Sequence, residues 1–338
     1  AALTGSSTLA IKTTNVATPI VVAGTVGASQ LDLTSAEAAL ISGFSGITVG
    51  SNAQTANTTI NAVTFSDPTT FDTGSGTITV SGLLTGTGEA SFTFSGTTSL
   101  GAGITTADQN ITFNNPTTAT TTLALTAGAG AVDFNSTLGI TNNAITISAD
   151  EIDFDGGDDS VTGGGSATLV LQPGQITTPV VVGGSANNAT ELNLTSGAGE
   201  DLAAITDNFG NFIIGSTTQT STLTLTNALS MRDPATFRTA NGGSISGGTL
   251  TGTGNASFVF SGPTTIGAIT TNNGAVRFNN TASLGGDITV TGGNSASFVR
   301  FDGVTTTTAA VVIDSGDGTI TMNSTFGAGA NALTLSAG

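Results

Sequence analysis

Residues 84–96, Leu84-Thr85-Gly86-Thr87-Gly88-Glu89-Ala90-Ser91-Phe92-Thr93-Phe94-Ser95-Gly96, return almost unchanged as Leu250-Thr251-Gly252-Thr253-Gly254-Asn255-Ala256-Ser257-Phe258-Val259-Phe260-Ser261-Gly262. A duplicated stretch of this length means repeat architecture, and the repeat decides the fold. Working outward, Thr8-Leu9-Ala10-Ile11 matches Thr168-Leu169-Val170-Leu171, and Thr18-Pro19-Ile20-Val21-Val22 matches Thr178-Pro179-Val180-Val181-Val182. Leu31-Asp32-Leu33-Thr34-Ser35 returns as Leu192-Asn193-Leu194-Thr195-Ser196, Asp67-Pro68 as Asp233-Pro234, and Phe113-Asn114-Asn115 as Phe278-Asn279-Asn280. The chain therefore divides into two tandem units, 1–166 and 167–338.

A finer period runs inside each unit. A strand ending in Phe or Met and followed by Asn or Asp recurs as Phe113-Asn114, Phe134-Asn135 and Phe154-Asp155, then as Phe278-Asn279, Phe301-Asp302 and Met322-Asn323. The steps are 21, 20, 23 and 21 residues, the length of one coil of a β-solenoid. Triplets such as Ile78-Thr79-Val80, Phe92-Thr93-Phe94 and Ile320-Thr321-Met322 alternate apolar with polar, the period of a half-buried strand. Inward Val, Ile, Leu and Phe then stack coil on coil, and outward Thr and Ser form ladders on the faces.

The offset between units supports the same fold. It is 165 at Phe113/Phe278 and 188 from Asn135/Asn323 onward, so the second unit carries an extra coil near 281–303. Solenoids gain whole coils because each touches only its neighbours. The expected class is all-β, a parallel β-solenoid forming one continuous rod. At this coil length the chain gives about 16 coils, or a rod on the order of 75–80 Å. Ala36–Ile41 and Glu200–Ile205 are the only helical hints, short decorations at equivalent places.

Composition narrows the function. Of 338 residues, 48 are Gly and only 8% are charged, yet 37% are hydrophobic at short regular intervals, enough to bury a core rather than stay disordered. The 22 acidic residues against five basic ones leave a net charge of −17. That argues against nucleic acid and anionic membrane as partners. No apolar run approaches the 18 or so residues of a spanning helix, so no membrane insertion is expected. There is no His and no Cys, hence no ordinary triad, no thiol nucleophile and no usual zinc set. Carbohydrate-cleaving β-helices line their grooves with aromatic and basic residues, and this chain has no Trp or Tyr and a single lysine, Lys12. It reads as a non-enzyme without a required cofactor.

Two groups of polar residues are candidates for a site. The first is the acidic cluster Asp150, Glu151, Asp153, Asp155, Asp158 and Asp159. Its carboxylates suit calcium, a hard cation, and Asp150, Asp153, Asp155, Asp158 and Asp159 are the candidate ligands. The spacing fits neither an EF-hand nor the nonapeptide calcium repeat. The other reading is a solvated face, with Ile152 and Phe154 inward and Asp153 and Asp155 outward. The second group is Asn114, Asn135, Asp155, Asn279, Asp302 and Asn323, which share one phase of the coil and are expected to form a structural ladder between coils. Thr85-Gly86-Thr87-Gly88 and its partner lack the Lys and helix of a phosphate loop and read as turns. The Asn-x-Ser/Thr triplets, Asn188 among them, are what a Thr-rich sequence produces by chance.

The run Asn143-Ala144-Ile145-Thr146-Ile147-Ser148-Ala149-Asp150-Glu151-Ile152-Asp153-Phe154, continued through Gly163-Gly164-Gly165-Ser166-Ala167-Thr168-Leu169-Val170-Leu171-Gln172-Pro173, resembles the repeats of filamentous-haemagglutinin-like bacterial surface exoproteins, above all the long cyanobacterial ones. The likeness covers essentially the whole chain. It implies a right-handed parallel β-helix, export to the cell surface, and roles in adhesion, sheath or biofilm. The amino-terminal secretion domain of two-partner exoproteins is not found. The start at Ala1-Ala2-Leu3-Thr4, without Met or signal peptide, reads as a processed product or a piece of something longer. Together these give the expectation of a secreted structural protein that self-assembles end to end into an extracellular filament, sheath or matrix at the bacterial surface. The alternative is the shaft of a large adhesin. Partners are other copies of the chain, and surface polysaccharide or a host or neighbouring cell surface.

Overall fold

A computed structural model of the chain describes residues 2–338 apart from 185–189, 207, 227 and 293–296; Asn188 thus lies outside the described residues. The chain is nearly all β, with 2% helix, and its stacked parallel strands form a β-solenoid of about 13 turns. Most coils carry three short strands, one per face, each hydrogen-bonded to the strand one coil earlier and one coil later.

The expected 16 coils are too many, and the reason is local. Most first-face partners follow one another at the short step seen in the sequence, as in Phe92↔Ile111 or Ala235↔Phe258. The first coil of each unit is close to twice as long, with Leu9 paired to Ile47 and Leu169 to Phe212. In both places the chain leaves the coil, adds an edge strand (Leu31–Leu33 or Leu192–Thr195) and a one-turn helix (Ser35–Ala38 or Asp201–Ala204), and then returns. Thr34 and Glu37 close a capping box around the first helix, satisfying two of its free N–H groups.

Two compact units account for the chain. The first comprises 1–164 with 198–206, and the second 165–197 with 207–338. Residues 198–206 belong by sequence to the second repeat but pack with the first unit. Ile205 bridges Val161 in parallel, the Asp159 N–H donates to the Ala203 carbonyl at 3.0 Å, and the Gly199 N–H donates to the Asp158 carboxylate at 2.6 Å.

In the first unit the core is a column of aromatic rings. Phe71, Phe94, Phe113, Phe134 and Phe154 stack with centroid separations of 5.5, 4.8, 4.8 and 5.6 Å. Parallel in-register pairing forces the stack: Phe94 sits opposite Phe113, Phe113 opposite Phe134, and Phe134 opposite Phe154. A second inward column, Phe92, Ile111, Val132 and Ile152, runs beside it, fully buried. Each stacked pair adds about 0.5–1.5 kcal/mol beyond the burial of its surface.

The second unit repeats this arrangement. Phe237, Phe260, Phe278 and Phe301 stack at 5.5, 4.8 and 5.2 Å, and Met322 pairs with Phe301 at the next coil. The coil near 281–303 carries Ala282–Leu284, Ile288–Val290 and Phe298–Phe301, and its Phe301 continues the ring column.

Turn chemistry is the same in both. Gly50 and its counterpart Gly215 have φ of +95° and +86°, and a Cβ there would meet the carbonyl oxygens of Asp72 and Arg238 at 2.1 and 2.2 Å. A side chain at either place is excluded by strain and by the next coil together. Among the described residues no helix is long and apolar enough to cross a membrane.

A candidate functional site on the outward columns

Between the two inward columns of the first face lies one further position per coil, outward everywhere except at Ile213, which is buried. In the first unit it runs Thr48, Thr70, Thr93, Thr112, Asp133, Asp153. In the second it runs Ile213, Thr236, Val259, Arg277, Arg300, Thr321. Three or four coils of neutral residues thus lead to a pair of charges one coil apart, acidic in one unit and basic in the other.

The acidic end of the first unit is built at a corner. The strands Leu123–Phe134 and Ala144–Phe154 each turn from one face to the next without a break, and their register slips on either side of Gly128, which has φ +59°. Glu151 emerges there, opposite Ala131. It is half-buried, and its Oε1 is enclosed without a hydrogen-bond partner. Burial first, then the charges of Asp153, Asp201 and Asp133, push its carboxyl up to about 8. Burial also raises Asp133, against the hydrogen bond it accepts from the Thr112 hydroxyl at 3.0 Å. Asp201, almost fully buried on the one-turn helix, accepts the Phe154 N–H at 2.9 Å and so ties 198–206 to the last phenylalanine of the column.

The other acidic residues scatter around this corner. Asp150 and Asp153 are half-buried on the strand, whereas Asp155, Asp158 and Asp159 are exposed in the turn that follows. Asp158 is engaged by the Gly199 N–H, and Asp159 adopts φ +57°. Among the described residues, no three acidic side chains come together in a group that could hold a metal ion.

The six ladder positions obey one rule. Asn114, Asn135, Asp155, Asn279, Asp302 and Asn323 each donate the backbone N–H to the carbonyl of the phenylalanine one coil earlier, at 2.8–2.9 Å. Side chains extend the contact in places: Asn135 donates to Asn114 at 2.8 Å, Asn114 to the Ser95 hydroxyl at 3.2 Å, and Asn279 to the Ser261 hydroxyl at 2.8 Å. Asp155 is exposed at the end of the first unit's row.

In the second unit the ladder meets the arginines. Asp302 accepts from Arg277 Nε at 2.9 Å and Nη2 at 2.8 Å, from Arg300 Nε at 2.7 Å, and from Asn323 Nδ2 at 2.7 Å. Desolvation opposes its charge, but the hydrogen bonds from Asn323, Arg300 and Arg277 outweigh it and hold the carboxyl at about 2.

Three carboxylates with structural roles are not evident from sequence alone. Besides Asp201, Asp67 accepts the Gly43 and Phe44 N–H groups at 3.1 and 3.0 Å, and its counterpart Asp233 accepts the Phe209 N–H at 3.0 Å. Both are buried and pin the returning end of each excursion. The recurrence of Asp67-Pro68 as Asp233-Pro234 is the one signal that points to them. Comparisons with models of protein families, with curated proteins and with solved structures found no match.

Proposed function

We propose that the protein is an extracellular structural element: a β-solenoid subunit or segment that stacks end to end into a filament, sheath or matrix at a bacterial cell surface. One observation carries this reading. Coil after coil repeats the same in-register contact, with phenylalanine on phenylalanine inside both units and threonine on threonine along the outward column of the first. A coil of a parallel solenoid offers its neighbour a full row of backbone donors and acceptors, so coils of separate chains join by the contacts that join coils of one chain. Supporting it, outward threonines are frequent, and the chain has no His to activate a hydroxyl nucleophile and no Cys or His to hold zinc.

A second reading shares the fold: the shaft of a large adhesin that presents a binding tip to surface polysaccharide or another cell. It is favoured by the coil near 281–303, which the sequence offset marks as an insertion and whose Phe301 continues the phenylalanine column, as expected of a rod extended within one polypeptide.

Negative-stain microscopy of the purified chain, with and without a calcium chelator, tests the first reading. Fibres in both conditions support metal-independent stacking. Discrete short particles at every concentration and in both conditions retire it in favour of the shaft, and fibres that dissolve in chelator return calcium to the Asp150–Asp159 region. Denaturing electrophoresis of the native material separates the two readings further. A band near 32.8 kDa supports assembly from short subunits, and one several times larger supports the shaft.

A further inference from the structure

Charge is distributed very unevenly between the two units. The first holds 15 of the 22 acidic residues and a single cation, Lys12; the second holds seven acidic residues and all four arginines. Within that asymmetry, the outward columns match in geometry. Val132-Asp133-Phe134 and Ile152-Asp153-Phe154 place two carboxylates in register on adjacent coils of the first unit. Val276-Arg277-Phe278 and Val299-Arg300-Phe301 place two guanidiniums in register on adjacent coils of the second. Both pairs occupy the outward position between the same two buried neighbours, so both repeat at the interstrand spacing of about 4.8 Å.

The arginines are also held ready for an acceptor. Both are tethered to Asp302, which removes much of the side-chain freedom that binding would otherwise cost. Arg277 uses two of its five N–H donors on that carboxylate and Arg300 uses one, and each side chain is 40% exposed. One aspartate between two arginines leaves the cluster with net positive charge.

We propose that the Arg277/Arg300 column of one copy docks on the Asp133/Asp153 column of a second copy, a lateral contact between unlike faces. Such a heterologous contact does not close on itself, so a docked pair still presents one arginine column and one aspartate column to further copies. It stands apart from end-to-end stacking, and would hold solenoids side by side whether or not they also stack.

Sedimentation velocity at about 0.01 M and about 0.5 M salt tests it, because exposed charge pairs are long-ranged in the first and screened in the second. Wild-type chain is expected to associate at low salt and to dissociate at high salt. R277Q/R300Q and D133N/D153N should each weaken association roughly tenfold or more. Mixed together, these two variants retain one intact column of each kind and should form dimers but nothing larger. Circular dichroism and melting of each variant alone separate loss of contact from loss of fold, and R277K/R300K, which keeps the charge, should retain some of the association. A wild-type chain that stays monomeric at low salt overturns the proposal, as does association that neither variant affects. Binding of alginate by monomeric wild type, lost in R277Q/R300Q, overturns it in favour of a polyanion as the partner.

Discussion

The two units share an interior and differ on the surface. Both stack phenylalanine in register at 4.8–5.6 Å, and both use an Asp-Pro turn to pin an excursion after the first coil. On and beside the outward column, the first unit crowds carboxylates together while the second gathers two arginines around one. Similar backbone therefore carries opposite electrostatics on and beside that column: Glu151 is pushed up to about 8, and Asp302 is held at about 2. The comparison teaches that packing constrains the inward residues strongly and the outward ones hardly at all. Duplication kept the first set, and the second was free to diverge.

The largest effect should come from breaking what the units share. Phe113→Ala or Phe260→Ala removes a ring stacked on both sides and is expected to cost about 3–5 kcal/mol, read as a shift in denaturant midpoint. A loss under about 1 kcal/mol would mean that the column is not the principal source of stability. Next is the pinning carboxylate. Asp233→Ala leaves the Phe209 N–H buried without its partner and should cost about 1.5–3 kcal/mol. Its signature is faster amide exchange at the end of the second excursion than in the neighbouring coils.

The two shifted carboxyls sharpen the contrast through pH. Glu151 ionises with more difficulty in the folded chain than in the unfolded one. Its favourable contribution is complete below the ordinary value of 4.5 and is lost as pH rises toward about 8. Glu151→Gln should therefore melt like wild type at pH 4 and higher than wild type at pH 9. Because the side chain is only partly enclosed and solvent screens its charge, the gain is discounted to about 1 kcal/mol, or about 2–4 °C. An equal effect at both pH values would show that ionisation is not the cause. Asp302 runs the other way: its contribution is present above the ordinary 3.8 and is lost as pH falls toward about 2. Asp302→Asn should lower the melting point at pH 7 and converge with wild type near pH 2. The smallest change is expected at Asn135→Ala, an exposed ladder contact worth about 0.5–1 kcal/mol. A larger loss there would promote the amide ladder from trim to framework.

The solenoid was legible because its signals are local. The regular step between Phe-Asn pairs and the alternation of apolar with polar residues both survive in the linear sequence, and they identify Phe113 and Phe134 as stacked neighbours. The acidic corner was legible only as composition. That Glu151 is enclosed beside Asp133 and Asp201 depends on a register slip at Gly128 and on a segment far along the chain, neither of which leaves a periodic trace. The coil count failed for the same reason: the excursions at 31–41 and 192–205 occupy chain without adding a coil. Arg277 and Arg300 lay in plain view, each directly before a phenylalanine of the repeating pattern, but their meaning required knowing that they share one aspartate.

Because every strand pairs with its counterpart one coil away, the backbone hydrogen bonds of each unit lie along the direction in which coils accumulate. Tension applied in that direction pulls those bonds end-on, and they give way coil by coil rather than all together. Each coil released frees about 20 residues, or roughly 70 Å of extended chain, for a few ångströms of folded height. A stack of coils pulled in this way yields gradually, lengthening many-fold and absorbing work as it does so.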